Sequence, residues 1–460
     1  MSETIEPPTS QAEAPTPGAA NPSEKVDVLV IGAGAAGLFA SIFAARNAPA
    51  GARVLAVDGA KKLGAKILVA GGGRCNVTHH RVDESAYAGS SRHAVRKVLG
   101  RFTVEDTVAF FAERGVELKR EETGKLFPTT DDAQTVLDAL LSAVRDAGAT
   151  IRHPWRAGSI SRDGAEFVVQ RAFAGDASHT SGPSEIRAAR VILATGGMAL
   201  PRSGSDGAGY ALARALGHTT TSRIFPALVP LLLPEKHFLR ELSGIALRAR
   251  VTLVSGTGKR LESFENDLLF THFGLSGPAA LDISRYLLDA IAATPSGAPM
   301  PRLHVALVPE LKEETLDQRL QTLGRGSVLR LLCDGLRLPE RLARALLAEA
   351  GLRDVGQATG ATLTRDQRRA IARLVTDLPV EITGDRGFTF AEVTAGGVPL
   401  GEVRLETMES RACPGLHLCG EILDVDGRIG GFNFQWAWAS GFTAGQACGT
   451  ALAAGTLPPA

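Results

Sequence analysis

The chain has 460 residues, which is long for a single domain, so two or three domains are expected. Hydrophobic residues make up 44% and charged residues 22%, as in ordinary globular enzymes, and a net charge of +1 gives no basic excess that would attract nucleic acid or an anionic membrane. The five cysteines are scattered without a Cys-x-x-Cys pair, so no metal site and no disulfide framework is predicted, and a cytoplasmic location is expected.

The two ends of the chain have unusual compositions. Residues 1–24 contain several prolines and almost no large apolar side chains, without the basic start and apolar core of a signal peptide, and they are predicted to be a disordered tail. The segment from Ile429 onward is uncharged but rich in glycine and polar residues, which favours a buried helix over a membrane span. No membrane association is therefore expected.

A short apolar strand leads directly into a glycine-rich turn near the start of the chain. Residues 26–31 are an apolar run of strand length, and the turn that follows carries Gly32, Gly34 and Gly37. The first glycine permits a tight turn, the second lets the backbone approach a pyrophosphate, and the third lets helix and strand pack closely. A second strand ends at Asp58, 21 residues past Gly37, where a carboxylate accepts hydrogen bonds from a ribose diol. This pattern predicts dinucleotide binding at a helix N-terminus.

A second glycine-rich stretch follows at residues 71–76, with the sequence Gly-Gly-Gly-Arg-Cys-Asn. Three successive glycines lose much conformational entropy on ordering, so a ligand is expected to use their exposed backbone. A ligand with phosphates or a flat polar ring would do so, and the alternative is an ordinary flexible loop.

Predicted helices and strands then alternate. Residues 91–148 are predicted to be helical, with Thr103 as a cap, and residues 149–170 are predicted to form strands. The apolar run 190–194 ends at a further glycine turn, 195–197, which is where a ligand at the carboxyl edge of a parallel sheet would lie.

The pattern changes at about residue 226. Residues 226–309 are predicted to form a small antiparallel sheet or barrel, and residues 310–384 a helical subdomain. The helical stretch is rich in arginine, which would suit an RNA-binding face, but apolar residues at helical spacing favour ordinary amphipathic helices. The α/β pattern returns at residues 385–460, so the predicted dinucleotide domain is discontinuous, with residues 25–225 as its first part.

Taken together, these motifs resemble the BaiN/YhiN-like family of FAD-dependent oxidoreductases, which belongs to the flavoproteins with two dinucleotide-binding domains. The resemblance covers nearly the whole chain beyond the tail. It implies an α/β fold in which a Rossmann-like FAD-binding domain is interrupted by an inserted small β-barrel and a helical subdomain. Apart from the first glycine motif, the segments that carry the resemblance are 71–76, 194–197, 269–278, 394–398, 419–421 and 430–433.

The resemblance also implies which residues hold FAD. The first three glycines would bind the pyrophosphate, Asp58 the adenosine ribose, and the backbone near Ala157 the adenine. Glu421 stands where the family commonly has aspartate, and it would contact the ribityl chain and phosphate. The full expected set is Gly32, Gly34, Ala36, Gly37, Asp58, Lys66, Gly72, Gly73, Arg74, Cys75, Asn76, Ala157, Thr195, Gly196, Gly197, Gly396, Gly420, Glu421, Gly430, Gly431 and Asn433.

Residues 430–433 are expected at a helix N-terminus beside the flavin pyrimidine. Reduced flavin accumulates negative charge there, so backbone N–H groups and the helix dipole would stabilise it. A reduction potential that is unchanged in the variants Gly431→Pro and Asn433→Ala would contradict this hypothesis.

The expected reaction is hydride transfer between flavin N5 and a small organic substrate, such as an activated C=C bond. Candidate proton donors or electrophilic partners are Arg74, His272 and Glu392. The chain has no second strand–glycine–helix fingerprint for a nicotinamide cofactor, so NAD(P)H would dock only transiently. Two alternatives stay open: an oxidase of small amines that uses O2, and a flavin-containing RNA-modifying or regulatory protein. No nucleic acid is expected as a partner in the leading hypothesis.

Overall fold

The computed structural model describes residues 23–172 and 183–455. In the first part of the chain the helices and strands are, in order, β1 (Ser23–Ile31), α1 (Ala35–Asn47), β2 (Val54–Val57), α2 (Ala65–Gly73), β3 (Thr78–His79), β4 (Tyr87–Gly89), α3 (Arg92–Leu99), α4 (Val104–Ala112), β5 (Leu118–Arg120), β6 (Lys125–Pro128), α5 (Ala133–Asp146), β7 (Thr150–Arg152), β8 (Ala157–Asp163), β9 (Glu166–Arg171), β10 (Glu185–Leu193) and α6 (Ala208–Ala215).

The remaining helices and strands form the inserted region and the return of the chain to the first domain. They are β11 (Phe225–Ala227), β12 (Leu231–Leu232), β13 (Ala246–Val254), β14 (Arg260–Phe270), β15 (Gly274–Ser276), α7 (Pro278–Ala293), β16 (Arg302–Ala306), α8 (Glu313–Thr322), α9 (Val328–Arg330), α10 (Glu340–Glu349), α11 (Arg365–Thr376), β17 (Leu378–Val380), β18 (Gly384–Asp385), β19 (Val393–Ala395), β20 (Val403–Arg404), β21 (Glu409–Ser410), β22 (Leu416–Leu418), β23 (Val425–Gly427) and α12 (Phe432–Ala453).

The predicted tail lies outside the described residues except at its end. Ser23 and Glu24 begin β1, so the tail prediction is wrong for these two residues. The physical reason is that β1 extends to meet β10, and the Glu24 carboxylate forms ion pairs with Arg53 and Arg152.

The central sheet brings the predicted glycine turns to one edge. Its strand order is β20-β21-β22-β10-β1-β2-β7, and the neighbours from β22 to β7 are parallel. Ile31 of β1 lies opposite Leu193 of β10 and Val57 of β2, while Leu193 lies opposite Leu418 of β22. Because parallel strands end at the same edge, the turns that follow these four strands converge there.

Two helices that start at this edge pack directly on one another. Within α12, Gly441, Gly445 and Gly449 recur every four residues and face the backbone of α1. A Cβ atom at Gly445 would lie 2.3 Å from the Ala40 carbonyl oxygen, so a larger residue has no room. The stripe of glycines is what allows α12 to lie against α1 at backbone contact.

Seven strands of the inserted region that the structure describes form an antiparallel sheet in the order β17-β16-β13-β14-β15-β12-β18. The order has two ends, β17 and β18, so closure into the predicted barrel is not confirmed. Only residues 381–383 separate these two end strands in the chain, which means that the sheet curls until its ends approach each other.

The helical part of the insert consists of α8 to α11, and α7 packs against β13 and β14 of the inserted sheet. One cluster of buried hydrophobic residues draws on residues 26–216 and 398–448, and a second draws on residues 231–380. The domain boundaries named from the sequence stay predictions.

The strands that lead into and out of the insert pair with each other. Phe225 of β11 lies opposite Ala395 of β19 in a two-stranded antiparallel ribbon. Among the helices of the described residues, including the uncharged α12, none combines the length and apolarity needed to cross a lipid bilayer.

Candidate functional site

A cavity of about 720 Å³ lies along the carboxyl edge of the central sheet. This volume is in the range typical of cofactor sites. It is lined by most of the residues predicted to bind FAD, namely Gly32, Gly34, Ala36, Asp58, Lys66, Gly72, Arg74, Asn76, Ala157, Thr195, Gly196, Gly420, Glu421, Gly430, Gly431 and Asn433.

The first glycine turn divides into packing and ligand-facing positions. A Cβ atom at Gly37 would lie 1.8 Å from the Gly32 carbonyl oxygen, so this glycine serves helix–strand packing. A Cβ atom at Gly34 would meet nothing within 4 Å, because this position faces the open cavity. Gly34 has no side chain to cap α1, so the first N–H groups of the helix are available to a phosphate.

These two glycines should respond differently to the same substitution. The Gly34→Val variant is expected to fold normally, because Gly34 has φ −79° and free space around its Cβ position, yet to lose FAD affinity at least about tenfold because the side chain occupies the phosphate position. The Gly37→Val variant is expected to lose stability instead. Thermal unfolding and flavin fluorescence titration measure the two effects, and equal destabilisation of both variants would contradict the assignment.

Asp58 lies at the predicted ribose position and is oriented by the backbone. Its Oδ2 accepts the Ala33 N–H and its Oδ1 accepts the Ala60 N–H, each at 2.7 Å. Each carboxylate oxygen keeps a second lone pair for a ribose hydroxyl.

The stretch at residues 71–76 turns its glycines toward the cavity. Ala70 leaves helical geometry, and Gly71 and Gly72 adopt left-handed conformations with φ 58° and 70°. Both are exposed and line the cavity, so their backbone is open to a ligand. Arg74 stacks over the Phe127 ring at 4.0 Å from its centroid and forms a 2.7 Å hydrogen bond with Glu121.

Lys66 and Glu421 meet across the cavity floor. Lys66 Nζ lies 2.5 Å from Glu421 Oε2, and Glu421 Oε1 accepts the Thr394 N–H at 2.9 Å. The two side chains therefore hold each other at the position where the ribityl chain and phosphate are expected.

The loop before α12 is constrained at both ends. Gly430 and Gly431 have φ 130° and 95°, and a Cβ atom at Gly431 would lie 2.5 Å from the Thr78 carbonyl carbon. Asn433 makes two hydrogen bonds with the last residue of β23: its Oδ1 accepts the Gly427 N–H, and its Nδ2 donates to the Gly427 carbonyl. The Asn433 side chain thus orders the loop through the backbone.

The N-termini of α1 and α12 lie at different points along the shared direction of the two helices. Residues 36, 40 and 44 of α1 face residues 441, 445 and 449 of α12, so the helices run in the same direction. In this alignment α12 extends eight residues further than α1 at the N-terminal end. At the rise of an α-helix, the two N-termini are therefore about 12 Å apart along the helix axes. Two positive helix ends at this separation suit a ligand that carries a pyrophosphate at one point and an electron-rich ring farther along.

Several buried polar atoms of residues beside the cavity have no hydrogen-bond partner within the described part of the chain. They include Asn76 Oδ1, Thr195 Oγ1 and Ser205 Oγ. These three atoms expose almost no surface, so the groups open to a ligand are instead the backbone N–H groups at the two helix N-termini, the Asp58 carboxylate and the backbone of Gly71 and Gly72. The residues present therefore fit FAD.

Other predicted site residues lie elsewhere. Gly37, Gly73, Cys75, Gly197 and Gly396 are not among the residues that line the cavity. Burial raises the pKa of the Cys75 thiol, which packs in the core, and this does not suit a reactive thiol. At Gly396 a Cβ atom would lie 2.3 Å from the Arg223 carbonyl oxygen, so the glycine is required by a close backbone approach.

Of the three catalytic candidates, the structure brings two to the cavity. Arg74 and Glu392 line it, whereas His272 is exposed in the turn between β14 and β15 and is not among the lining residues. The His272 carbonyl accepts the Nε–H of Arg240 at 2.7 Å, so this turn contacts the segment 238–242 of the insert. Membership of a family motif therefore did not indicate correctly where His272 lies.

Glu392 is a cavity-lining carboxyl group with a shifted pKa. Its side chain is exposed toward the cavity, yet the protein around its other sides raises the pKa above the ordinary value, an effect opposed by the charges of Lys66 and Lys125. A ligand that fills the cavity would strengthen the desolvation.

Sequence reasoning missed several cavity residues, which are Lys125, Trp155, Arg156, Ser205, Phe390 and Arg428. Ser205 lies in the glycine-rich stretch 204–209, a signal for a ligand site, but this stretch follows Pro201 rather than a strand and so does not match a nicotinamide fingerprint. Arg156 forms a 2.7 Å ion pair with Asp206, a contact across 50 residues that no local pattern reveals.

The comparisons with known proteins agree with this geometry. The family described as HI0933-like protein Rossmann domain matches residues 26–447. An Escherichia coli protein named ribosomal RNA dihydrouridine synthase is 35% identical over 433 residues, covering 92% of this chain and 98% of that protein. A Clostridium scindens protein named 3-dehydro-bile acid delta(4,6)-reductase is 34% identical over 421 residues, covering 91% of this chain and 98% of that protein.

Among solved structures, the 3-ketosteroid delta1-dehydrogenase from Sterolibacterium denitrificans has a TM-score of 0.50. It is 12% identical and covers 94% of this chain and 100% of the other. At this identity the similarity concerns the fold alone.

Proposed function

Because the chain belongs to the HI0933-like Rossmann family, a family of FAD-dependent oxidoreductases, we propose that it reduces a C=C bond conjugated to a carbonyl group. Bound FAD would supply a hydride from its reduced ring. Two relatives with different named substrates share this chemistry: dihydrouridine is uridine with a saturated ring C=C bond, and the bile-acid reductase is named for double bonds near a 3-oxo group.

The observation that carries the proposal is the position of Glu392. Hydride addition to the β carbon of such a substrate leaves an enolate, and a proton must then reach the α carbon. Glu392 lines the cavity, and its raised pKa favours the protonated carboxyl that can deliver this proton. Arg74 suits a different role, because its hydrogen bond with Glu121 raises the guanidinium pKa and keeps the group charged. It can bind an anionic or carbonyl oxygen of the substrate.

The wall of the cavity also suits a planar substrate. Phe390 is 45% exposed although it is a large apolar side chain, and its ring lies 3.4 Å from the guanidinium carbon of Arg386. Arg386 lies in turn 4.4 Å from the centroid of the Phe273 ring. This stack leaves one face of Phe390 open in the cavity wall, and a flat conjugated ring would cover it.

The role of Phe390 can be tested by a pair of substitutions. In the Phe390→Leu variant we expect KM to rise about tenfold with a smaller change in kcat, because a stacking contact is lost, while Phe390→Tyr stays near the parent value. Steady-state kinetics measure KM and kcat separately for each variant. The control is Leu261→Ala, at an exposed apolar residue that does not line the cavity. A KM equal in the Leu and Tyr variants would contradict the stacking role.

A uracil ring in ribosomal RNA is the substrate to test first. The relatives from Escherichia coli and Haemophilus influenzae both carry the name ribosomal RNA dihydrouridine synthase, at 35% and 33% identity. The cavity walls include the basic residues Lys125, Arg156 and Arg428, which would attract a phosphate-bearing substrate. The small organic substrate expected from the sequence is the second candidate.

Anaerobic mixing tests the reaction. The holoenzyme, reduced beforehand, is mixed with unmodified ribosomal RNA or with a 3-oxo-4,6-diene steroid. Flavin reoxidation together with a product two mass units heavier would support the proposal. Bleaching of the oxidised flavin by NADPH would support NAD(P)H as the transient electron donor. If neither substrate reoxidises the flavin, while a small amine bleaches it and peroxide forms in air, the protein is an amine oxidase and the proposal is wrong.

A further inference from the structure

One helix of the inserted region contacts the loop that precedes α12. Asp282 and Arg285 lie three residues apart on α7 and so project from the same face. Asp282 Oδ1 accepts the Ile429 N–H at 2.8 Å, and Arg285 Nε donates to Asp426 Oδ2 at 2.7 Å. The insert therefore holds this short segment of the first domain at two points.

Both contacts are shielded from water. Asp282 is 7% exposed and Asp426 is 4% exposed. Hydrogen bonds to charged groups are stronger in such surroundings, and losing one partner leaves the other unsatisfied. Ile429 lines the cavity and is followed directly by Gly430 and Gly431. The amide groups of these two glycines lie at the N-terminus of α12.

We propose that Asp282 is a positioning residue for bound FAD: through Ile429 it fixes the amide groups of Gly430 and Gly431, and through its charge it sets the reduction potential of the flavin. Nothing in the sequence motifs assigns a role to this residue. The inference rests on FAD binding and goes beyond the proposed reaction, because a reduction potential is measured without substrate.

The charge of Asp282 changes near neutral pH. Burial raises its pKa to about 7, and the charge of Glu392 acts in the same direction, whereas the Ile429 N–H and the positive charges of Arg428 and Lys125 lower it. Below this pH the group is neutral, and above it the group is a carboxylate. A negative charge beside the loop opposes the negative charge of reduced flavin, so ionisation of Asp282 lowers the reduction potential.

The Asp282→Asn variant separates charge from position, because asparagine keeps an oxygen that accepts the Ile429 N–H. At pH 8 its reduction potential should be higher than that of the parent holoenzyme, and at pH 6 the two should agree. In Asp282→Leu the acceptor is also lost, and the FAD dissociation constant should rise about tenfold at both pH values. Spectroscopic redox titration and flavin fluorescence titration measure these quantities.

Asp289→Asn is the matched control, because Asp289 lies on the same helix and is exposed. Its reduction potential should follow that of the parent at both pH values. An Asp282→Asn potential that follows the parent at pH 6 and pH 8 would overturn the proposal. This test remains valid if Asp282→Leu fails to fold, and its result does not depend on whether any conjugated substrate is reduced.

Discussion

The Glu392→Gln variant is expected to retain FAD while its kcat falls about 10²- to 10³-fold, because glutamine cannot donate the proton that the α carbon requires. Only protonated Glu392 can act as the acid. Since surrounding protein raises the pKa of Glu392, kcat of the parent should fall as pH rises through a value above the ordinary glutamate range. The kcat of the variant should not show this decrease. Rapid anaerobic mixing at several pH values measures the step.

The control for Glu392→Gln is Glu381→Gln, at an exposed glutamate of the insert that does not line the cavity. Its kcat and pH profile should match those of the parent. A Glu392→Gln variant with parental kcat across the pH range would remove Glu392 from the mechanism and leave the solvent as proton source.

The second large effect is expected at the contact between α1 and α12. In Gly445→Val the new Cβ would lie 2.3 Å from the Ala40 carbonyl oxygen, and this atom belongs to a helix backbone that has little freedom to move. We expect the free energy of unfolding to fall by about 3 kcal/mol or more, with loss of FAD, because both helices begin at the cavity. Chemical denaturation and the flavin content of the purified protein measure this.

Thr450→Val provides the matched control, since Thr450 lies on α12 but is exposed. This variant should unfold within about 0.5 kcal/mol of the parent. If Gly445→Val were equally stable, α12 would have to be able to move away from α1, and the direct packing described above would not be needed for cofactor binding.

The sequence predicted the parts of the site that depend on local signals. The strand before Gly32 and the turn after it are encoded by neighbouring residues, and the family recognition that began there is confirmed. The classification as an FAD-dependent oxidoreductase follows from it. The antiparallel sheet predicted for residues 226–309 is present in the pairing of β13 with β14, while closure into a barrel depends on long-range hydrogen bonds that local sequence does not encode.

The substrate side of the cavity was less predictable because it is assembled from distant segments. His272 belongs to a distinctive motif, but its turn is hydrogen-bonded to Arg240 of the insert and does not line the cavity. Asp282 was overlooked because its partner is a backbone N–H 147 residues away, and nothing near either residue signals that contact. Helix α7 itself was not predicted, although Pro278 at its first position is a typical helix start.

The pairing of β11 with β19 has a consequence for how such a protein can diversify. The strands that carry the chain into and out of the insert are hydrogen-bonded neighbours, so the inserted region begins and ends at points about 5 Å apart. A segment that returns to its point of departure can be lengthened, shortened or exchanged without altering the spacing of the strands that flank it. The insert can thus change in length while the cofactor cradle is kept, provided that the two contacts of α7 with the loop before α12 are retained.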